Sequence, residues 1–568
     1  MNQNTFSIKI GGYAGQGIKS AGLMIAKVAT RSGYSMFDYT EYPSLIRGGH
    51  NVMQIIFSKD EIYAPSKKLD LLIALNQETI DLHLGELSDG SSILYNETNV
   101  VDQSKLKNKV NLYPVPFSNL ASKEILLNTV AVGAAIGALN ADLSIFKELL
   151  KEEFGGKGEE VVKINHNAAD AGYNYVRDNF KDKLYDSLKP LGKSDPKIIV
   201  NGNEAVALGA LAAGMQFVAI YPMTPTSNIL HVLSPLQEKY GFIYKQPEDE
   251  ISAINMALGA SFAGARSMTA TSGGGFCLMT EAYGLAGITE TPIVIILGMR
   301  AGPATGLPTW SEQGDLYFAL HAHQSEFPRI VLAAGDAKEA FELTMEAFNL
   351  ADKYQTPVVL LVDKNICEND QSFAYFETSA YEIKRGKITK DLNLDYKRYL
   401  LENDGISTRT FPGTGNYIKV NSDEHDELGY STESINDRNN QMQKRMKKLD
   451  LCAKEDMKAP VILGAENADL TIVSWGSNKG SILEALKQFN NVNYMHVKWM
   501  NPFPADAVAN VLKKSKRIID IECNYTGQLA NLIMEKTGIE ITDRFLKYDG
   551  RPIFPEEIID KINNILKK

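Results

Sequence analysis

The chain has 568 residues, 44% of them hydrophobic and 23% charged, and its formal net charge is −10. This composition is typical of a soluble globular protein with about three or four domains, and the acidic balance argues against a nucleic-acid binder, which would need a basic face. The N-terminus has neither a basic start nor an apolar core, and the longest apolar runs are far shorter than the ~18 residues that span a bilayer, so we expect neither a signal peptide nor a membrane helix.

Residues 1–182 predict an α/β domain. Phe6–Ile10 and Leu71–Leu75 have the apolar character of buried strands, and Ser20–Thr30 has helical spacing. Repetition of strand, turn and helix favours a parallel sheet. The polar stretch Lys181–Lys197 that follows predicts a linker.

A glycine-rich turn joins the first strand of this domain to its first helix. Gly15-Gln16-Gly17, with Asp38 further along the chain, approximates the dinucleotide-binding fingerprint, but the third glycine is missing. Arg47 lies in an Arg-Gly-Gly sequence and could meet an anionic phosphate. A purely structural role for this arginine is equally consistent with the sequence.

Residues 196–368 predict a second α/β domain whose strands are short apolar runs. These runs are Ile198–Val200, Phe217–Ile220, Ser267–Thr271, Ile293–Leu297 and Val358–Val362. Continuously apolar strands are typical of a parallel sheet that is covered on both faces.

The turn after Phe217–Ile220 is the most informative stretch of the chain. Tyr221-Pro-Met-Thr-Pro-Thr-Ser227 contains two prolines and carries hydroxyls at Thr224 and Thr226 before a helical pattern begins. Free N–H groups at a helix start favour an anion, and hydroxyls add oriented donors. The pattern predicts a site for a small carboxylate at the carboxyl edge of the sheet. The alternative is a proline-rich turn that ends in an ordinary Ser/Thr helix cap.

Three further features of this domain follow strands or open helices. Glu250 opens an apolar helix, where its carboxylate could serve a cofactor or simply complement the helix dipole. Gly274 lies in a Gly-Gly-Gly turn, which could admit a cofactor to the backbone or only make the turn tight. Arg300 enters a Gly/Pro-rich loop, where its planar fork suits a carboxylate; the alternative is an ordinary surface arginine.

Residues 369–459 are polar and charged with no sustained apolar period, and we interpret them as a long irregular connecting segment with a helix within Ser434–Lys448. Residues 460–568 return to strand–helix alternation. The sequence therefore predicts three α/β domains with mainly parallel sheets. His321-Ala-His323 and Glu424-His425-Asp426 are patterns sometimes seen at metal sites. We expect no metal at either, because the first lacks nearby acidic or histidine partners and the second is typical of a solvated charged loop.

The cysteines are scattered along the chain. Cys277, Cys367, Cys452 and Cys523 form no Cys-x-x-Cys pair, which excludes a local iron–sulfur or zinc cassette. We predict the cytoplasm as the compartment of this chain, since thiols stay reduced there.

Several motifs, in the same order along the chain, resemble those of the 2-oxoacid:ferredoxin oxidoreductases. The turn at 221–227 resembles the Tyr-Pro-Ile-Thr-Pro-Ser-Ser signature of their alpha subunits, and 300–309 resembles their Arg-Gly-Gly-Pro-Ser-Thr-Gly-Leu-Pro-Thr loop, with Ala301 in place of the commoner glycine. Further similar stretches are 249–260, 312–315, 522–528 and 547–552 for the alpha subunit, and 11–17 and 47–49 for a gamma module that many members carry fused ahead of alpha. The resemblance covers nearly the whole chain.

The resemblance implies a gamma module (1–182), a thiamine pyrimidine-binding domain (196–368), the connecting segment (369–459) and a transketolase C-terminal-like domain (460–568). It implies that the Glu250 carboxylate hydrogen-bonds to the aminopyrimidine of thiamine diphosphate, the cofactor that the turn at Gly274 could admit to the backbone. For the substrate, it implies contacts from Tyr221, Thr224, Thr226 and Arg300. In the gamma module it implies help with coenzyme A, for which Arg47 is the candidate, or with subunit docking.

The chain lacks the Gly-Asp-Gly sequence that usually marks the Mg²⁺ and diphosphate half of a thiamine site. The resemblance explains this absence, because the family's beta subunit supplies that half together with Mg²⁺ and a [4Fe-4S] cluster. It implies an (alpha-beta)₂ heterotetramer that converts a 2-oxoacid, coenzyme A and oxidised ferredoxin into acyl-CoA, carbon dioxide and reduced ferredoxin.

The favoured substrate is 2-oxoglutarate, because the fused arrangement and the 302–309 loop look most like that subgroup. Pyruvate or a branched-chain 2-oxoacid, an NAD-dependent dehydrogenase and a non-catalytic scaffold subunit stay as alternatives.

Overall fold

The computed structural model describes residues 5–45, 48–106, 109–192 and 195–567. The chain forms two compact units. The first comprises Met1–Val200, Asn369–Phe376 and Phe554–Asp560, and the second comprises Asn201–Glu368, Glu377–Ile553 and Lys561–Lys568. Within the described ranges, no helix combines the length and the apolar character that crossing a membrane requires.

Strands and helices alternate through most of the chain. The strands are β1 (Thr5–Tyr13), β2 (Ser35–Glu41), β3 (His50–Ser58), β4 (Leu69–Ala74), β5 (Leu87–Asn96), β6 (Asn111–Val115), β7 (Ile198–Val200), β8 (Phe217–Ala219), β9 (Ile243–Lys245), β10 (Ser267–Ser272), β11 (Ile293–Met299), β12 (Ile330–Ala333), β13 (Pro357–Asp363), β14 (Gln371–Phe373), β15 (Val461–Gly464), β16 (Leu470–Ser474), β17 (Val492–His496), β18 (Trp499–Asn501), β19 (Ile518–Glu522) and β20 (Arg544–Leu546). The helices are α1 (Ile18–Arg31), α2 (Gln77–His83), α3 (Phe117–Leu120), α4 (Leu127–Ala138), α5 (Leu143–Phe154), α6 (Glu159–Asn179), α7 (Gly202–Ala212), α8 (Ser227–Leu233), α9 (Gln237–Tyr240), α10 (Glu250–Phe262), α11 (Gly273–Ile288), α12 (Leu316–His321), α13 (Ala337–Tyr354), α14 (Lys364–Glu368), α15 (Ile435–Glu455), α16 (Asn478–Leu486), α17 (Ala505–Leu512), α18 (Gln528–Thr537) and α19 (Pro555–Leu566).

The first unit contains an eight-stranded sheet with the order β6-β5-β4-β1-β3-β2-β14-β7. The pairings β1–β4, β4–β5 and β5–β6 are parallel, as predicted. The remaining pairings, from β1–β3 outward to β14–β7, are antiparallel. The described residues between β2 and β3 contain no helix, and strands that pair without a crossover connection run antiparallel.

Two short strands of this sheet lie where the sequence suggested other domains. Ile198–Val200 matches β7 in extent, but β7 pairs with β14 in the first sheet and not with strands of the second predicted domain. β14 itself lies within the stretch that we interpreted as an irregular connection. Both strands are only three residues long, so their sequences carry no information on which sheet they join.

Helices α4 and α6 pack closely in the first unit because two glycines face the opposite backbone. A Cβ on Gly172 would lie 2.1 Å from the carbonyl oxygen of Val130, and one on Gly133 would lie 2.4 Å from that of Ala169. This close contact buries the small side chains of α4 within the core of the first unit. Larger residues at these two positions would force the helices apart.

The second unit contains a seven-stranded and a five-stranded sheet. Their orders are β18-β12-β13-β11-β10-β8-β9 and β15-β17-β16-β19-β20. Only the edge pairings β12–β18 and β15–β17 are antiparallel, so the prediction of mainly parallel α/β sheets is confirmed. A single cluster of buried apolar residues runs through both sheets, from Leu297 and Phe276 to Trp475 and Leu529.

Buried ion pairs fix the irregular segment between β14 and α15. Asp352 of α13 lies 2.7 Å from Arg385 Nε and 2.8 Å from Arg409 Nη2 of that segment. Glu290 in turn pairs with Lys444 of α15 at 2.6 Å. Because a buried charge is costly without a partner, these contacts hold the segment in one place although residues 377–434 contain no helix or strand.

Candidate functional site

The turn at residues 221–227 joins β8 to α8. Thr226 is fully buried, and its hydroxyl donates to the carbonyl oxygen of Met223 at 3.0 Å. No side-chain cap hydrogen bond forms at the start of α8, so Thr226 ties the turn together and does not cap the helix. Tyr221 and Thr224 are partly exposed. Of the three residues that we predicted to bind a substrate here, only these two present their side chains outward.

Arg300 lies directly after β11 and contacts this turn. Its Nη1 donates to the carbonyl oxygen of Thr224 at 2.9 Å. β8 and β11 lie on either side of β10, so the turn and the Arg300 loop meet at the carboxyl edge of the sheet. Among the described residues the guanidinium makes no second hydrogen bond, which leaves the rest of its five-donor fork available to a carboxylate.

Three consecutive acidic residues have different environments at the start of α10. Glu248 is exposed, and Asp249 is the N-cap, whose carboxylate accepts from the backbone N–H of Ser252 at 2.7 Å. Glu250 is only 3% exposed, and its Oε1 has no hydrogen-bond partner among the described residues. A buried carboxyl oxygen without a partner is costly, which singles out Glu250 as the residue that an external group would satisfy.

The glycines at the start of α11 differ in what surrounds them. A Cβ on Gly275 would lie 2.6 Å from Glu250 Oε1 and 2.1 Å from Thr271 Oγ1, whereas nothing lies within 4 Å of a Cβ on Gly274. Gly275 is therefore the glycine that close packing requires. Gly274, which we selected from the sequence, borders open space that a ligand could enter.

Two carboxyl groups, Glu312 and Asp315, lie near Arg300. Glu312 Oε2 accepts from the backbone N–H of Gly302 at 3.0 Å, and burial raises the pKa of this group. Burial, and then the charge of Glu312, raise the pKa of Asp315 to about 6, although Arg300 opposes the shift. Both residues belong to the 312–315 motif, but nothing in the sequence assigned them a role, because burial cannot be read from a loop sequence.

In the described part of the chain, no group of three or more His, Cys, Asp or Glu side chains is placed so that it could hold a metal ion. The expectation of a solvated loop around His425 is wrong, since this side chain is fully buried and its ring centroid lies 3.9 Å from that of Tyr399. Burial alone would raise the pKa of Glu424, but hydrogen bonds from Arg445 and then Arg438 lower it to about 2.

The glycine turn of the first unit does not form a dinucleotide site of the expected kind. β3 lies between β1 and β2 and pairs antiparallel with both, whereas the fingerprint requires adjacent parallel strands. Asp38 is fully buried, and its Oδ1 accepts from the backbone N–H of Asp370 at 2.9 Å, so it cannot meet a ribose. The turn does border a cleft of about 760 Å³ lined also by α1, α4, α5 and α6. Arg47 lies outside the described residues.

Comparison with known families gives matches in three regions of the chain. Residues 208–444 match the family described as "Pyruvate flavodoxin/ferredoxin oxidoreductase, thiamine diP-bdg". Residues 7–175 match "Pyruvate ferredoxin/flavodoxin oxidoreductase", and residues 468–558 match "Pyruvate:ferredoxin oxidoreductase core domain II".

Individual relatives match over nearly the whole chain. The 2-oxoacid:ferredoxin oxidoreductase subunit alpha of Sulfolobus sp is 32% identical, over 98% of this chain and 96% of the relative. The 2-oxoglutarate oxidoreductase subunit KorA of Mycobacterium tuberculosis is 28% identical, over 97% and 90%. A solved structure of 2-oxoglutarate:ferredoxin oxidoreductase from Magnetococcus marinus, with 2-oxoglutarate, coenzyme A and succinyl-CoA bound, superposes with a TM-score of 0.93 at 32% identity, over 99% of this chain and 100% of the other.

Proposed function

Because the chain belongs to the 2-oxoacid:ferredoxin oxidoreductase family, as an alpha subunit with a thiamine diphosphate-binding domain, we propose that it binds the 2-oxoacid and the aminopyrimidine half of the cofactor. The proposed reaction cleaves the bond between the carboxylate and the oxo carbon and releases carbon dioxide. The acyl group forms a thioester with coenzyme A, and two electrons pass through an iron–sulfur cluster to ferredoxin. The favoured substrate is 2-oxoglutarate, and the bound ligands of the Magnetococcus marinus structure support this choice.

The observation that carries the proposal is the buried, unpaired Oε1 of Glu250 beside Gly275. These residues fit an aminopyrimidine, because the carboxyl oxygen can bond to a ring nitrogen and the absence of a side chain at Gly274 leaves room beside it. When bound, thiamine diphosphate supplies a carbanion that attacks the oxo carbon and a ring that takes up the electrons.

The role proposed for Glu250 is to hold a proton in the hydrogen bond to the pyrimidine ring. Exclusion of water from this side chain, which is 3% exposed, strengthens such a bond relative to one in solvent. Glu250 would thus hold or release this proton at the ring nitrogen, which is general acid–base assistance.

Arg300 and the turn at 221–227 are proposed to hold the substrate. The free part of the Arg300 fork would bind a carboxylate of the 2-oxoacid through charge-assisted hydrogen bonds. The hydroxyls of Thr224 and Tyr221 would donate to the oxo group or to the same carboxylate. Thr226 would act only through the turn that its hydroxyl stabilises.

A beta subunit is proposed to complete the site with the diphosphate half, Mg²⁺ and a [4Fe-4S] cluster. Ile251 of α10 and Leu278 of α11 are 48% and 50% exposed, and both line a cleft of about 580 Å³ next to Glu250's helix. Exposed apolar side chains grouped around a cleft are typical of an interaction surface. We assign this face to the beta subunit of a cytoplasmic (alpha-beta)₂ complex, and coenzyme A to the gamma module, with Arg47 as its candidate contact.

The test is reconstitution with the beta subunit that accompanies this chain in its native cells. The complex should reduce ferredoxin with 2-oxoglutarate and coenzyme A, form succinyl-CoA, and contain thiamine and iron. Higher kcat/KM with pyruvate or a branched-chain 2-oxoacid would retain the chemistry but change the substrate. A reconstituted complex with full cofactor content and no 2-oxoacid oxidation would refute the proposal.

A further inference from the structure

Three motifs of the second unit have no assigned part in the proposed reaction, and all three meet at the loop that begins with Arg300. They are the stretches 312–315, 522–528 and 547–552. Residues 302–306 of the loop are exposed and contain no helix or strand. The position of the Arg300 side chain therefore depends on β11 at one end of the loop and on the contacts that fix its later part at the other.

The loop folds back onto the two residues that follow Arg300. The backbone N–H of Ala301 donates to the carbonyl oxygen of Trp310 at 3.2 Å. The backbone N–H of Gly302 donates to Glu312 Oε2 at 3.0 Å. Because these bonds join the start of the loop to its end, a shift of Trp310 or Glu312 would carry the backbone at Arg300 with it.

The motif at 547–552 holds the loop at Trp310. The guanidinium of Arg551 lies 3.5 Å from the centroid of the Trp310 ring, and a cation over the face of an indole is attracted to it. The backbone N–H of Ser311 donates to the carbonyl oxygen of Gly550 at 3.0 Å. Gly550 has a φ of 82°, and a Cβ there would lie 3.0 Å from the Cβ of Trp310. A glycine is thus needed for the motif to approach the loop this closely.

The motif at 522–528 holds the loop at Gln313, which is fully buried. The backbone N–H of Gln313 donates to the carbonyl oxygen of Cys523 at 2.7 Å, and its Oε1 accepts from the backbone N–H of Cys523 at 2.9 Å. Oε1 also accepts from Asn478 Nδ2 at 2.9 Å, and Nε2 donates to the carbonyl oxygen of Trp475 at 2.9 Å. A buried polar group that loses such partners is costly, so Gln313 fixes the loop to the segments that follow β16 and β19.

Resting on the proposed function, we propose that Gln313 and Arg551 are positioning residues, which hold the Arg300 guanidinium in the orientation that binds the substrate carboxylate. Among the described residues, Arg300 itself donates one hydrogen bond, to the carbonyl oxygen of Thr224. One bond leaves the planar fork free to turn about it, whereas a carboxylate takes two parallel bonds from that plane. The contacts of Gln313 and Arg551 restrict the backbone from which the fork extends, and the three motifs contribute to substrate binding in this way.

The proposal predicts a defect in substrate binding without a defect in cofactor activation. Glu250 lies on α10, outside the loop, so exchange of the thiamine C2 proton in the absence of substrate should keep its wild-type rate when the loop is loosened. KM for 2-oxoacids should rise more than kcat falls. A change that merely weakened the fold would lower thermal stability and thiamine content and would leave the KM of the intact fraction unaltered.

The experiment measures KM and kcat for 2-oxoglutarate in reconstituted complexes of loop variants. Arg551→Gln removes the cation from Trp310 at a partly exposed position, so it should fold and lower kcat/KM by about 2- to 5-fold. Arg551→Lys keeps a cation over the ring and should restore most of the activity. Gln313→Met keeps the length of the side chain without its amide and should lower kcat/KM by up to about 100-fold, the effect of a misplacement of about 1 Å.

The matched control is Lys239→Gln, which removes a cation that lies 5.2 Å from the ring centroid of Tyr240. This pair lies just before β9, which is parallel to β8, and so at the opposite edge of the sheet from the turn at 221–227. The KM of this variant should equal the wild-type value.

A double-mutant cycle with Arg300→Lys separates positioning from a merely structural role. An ammonium group has already lost the fork, so Gln313→Met and Arg551→Gln should lower kcat/KM less in this background than in the wild type. Equal factors in both backgrounds overturn the positioning role, as does a wild-type KM in both single variants. If Gln313→Met does not assemble, Arg551→Gln and its cycle decide. The proposed function fails separately, if the wild-type complex oxidises no 2-oxoacid.

Discussion

Replacement of Glu250 by glutamine tests the proposed chemistry most directly. The amide has nearly the same shape as the carboxyl group. Because Glu250 Oε1 has no hydrogen-bond partner among the described residues, the substitution leaves no protein group without its partner. Removal of a buried ionisable group also lowers the cost of burial. We therefore expect the variant to fold, to assemble and to melt at the wild-type temperature or slightly above it.

Two measured effects of Glu250→Gln, the loss of thiamine affinity and the slowing of C2 proton exchange, distinguish cofactor binding from proton transfer by their size. A neutral hydrogen bond to the pyrimidine is about 1–1.5 kcal/mol weaker than a charge-assisted one, so thiamine affinity should fall by about 5- to 12-fold. Glutamine cannot exchange a proton with the ring, and general acid–base assistance contributes about 10² to 10⁴-fold. Exchange of the thiamine C2 proton should therefore slow by that factor, equivalent to about 2.7–5.4 kcal/mol of activation free energy.

The assay is hydrogen–deuterium exchange at the thiamine C2 position, followed by NMR in the reconstituted, thiamine-saturated complex. The neighbouring acids provide matched controls: Glu248→Gln changes an exposed side chain, and Asp249→Asn retains a good N-cap. Both should exchange at the wild-type rate. Wild-type exchange in Glu250→Gln, or slow exchange in Glu248→Gln, would show that the reasoning from burial is mistaken.

Four further outcomes are expected. Arg300→Lys should lower kcat/KM by about 10- to 150-fold with thiamine content unchanged, because an ammonium group cannot form the two parallel bonds of the fork; steady-state kinetics across several 2-oxoacids measures this. Gly275→Ala should lose thiamine binding, since its Cβ would lie 2.6 Å from Glu250 Oε1, whereas Gly274→Ala has space for its Cβ and should fold normally; thermal melting and thiamine titration distinguish the two. Glu424→Gln should destabilise the chain by about 3–5 kcal/mol near neutral pH, because it leaves the buried guanidinium of Arg445 without its carboxylate. In the wild type this stabilisation is complete above the ordinary carboxyl pKa and is lost as the pH falls toward about 2. Denaturant unfolding at several pH values measures it. The chain without its beta subunit should bind thiamine diphosphate poorly and contain no iron, as metal analysis and cofactor titration will show.

Each of these outcomes has a contrary result that would count against it. An unaltered kcat/KM in Arg300→Lys would remove Arg300 from the substrate site. Equal melting and thiamine binding in the two glycine variants would mean that the contact between Gly275 and Glu250 is relaxed in solution. A pH-independent stability difference in Glu424→Gln would contradict the ion pair, and stoichiometric iron or 2-oxoacid oxidation by the single chain would refute its dependence on a partner.

For the long apolar runs, both the strand and its sheet were predictable from the sequence. For the three-residue run at 198–200, only the strand was. Ile293–Leu297 and Val358–Val362 correspond to β11 and β13, which are buried throughout. A continuous apolar run of this length is typical of a strand that is buried on both faces of a parallel sheet. Ile198–Val200 has only three residues, and its place beside β14 depends on pairing with a segment about 170 residues away, which no local pattern records.

The candidate site also contains some residues that the sequence identified and others that it could not. Arg300 and Thr224 follow predicted strands, and the adjacency of parallel strand ends brings them together. The distinction among Glu248, Asp249 and Glu250 rests on which side of α10 faces the protein, and an acidic run has no periodicity that reveals it. The raised pKa of Asp315 could not be predicted from the sequence either, because the burial of its carboxyl group comes from the fold of a Gly/Pro-rich loop.

The path of the chain through the first sheet has a consequence for synthesis on the ribosome. β2 acquires its outer neighbour β14 only when residue 373 has left the exit tunnel, long after β1–β6 have been made. Until then the edge of β2 offers unpaired N–H and C=O groups to any other nascent chain. A fragment that stops at residue 182 or 200 would keep this open edge permanently. Expression of such a fragment should therefore yield aggregates or dimers, unless residues 369–376 are joined to it through a flexible linker.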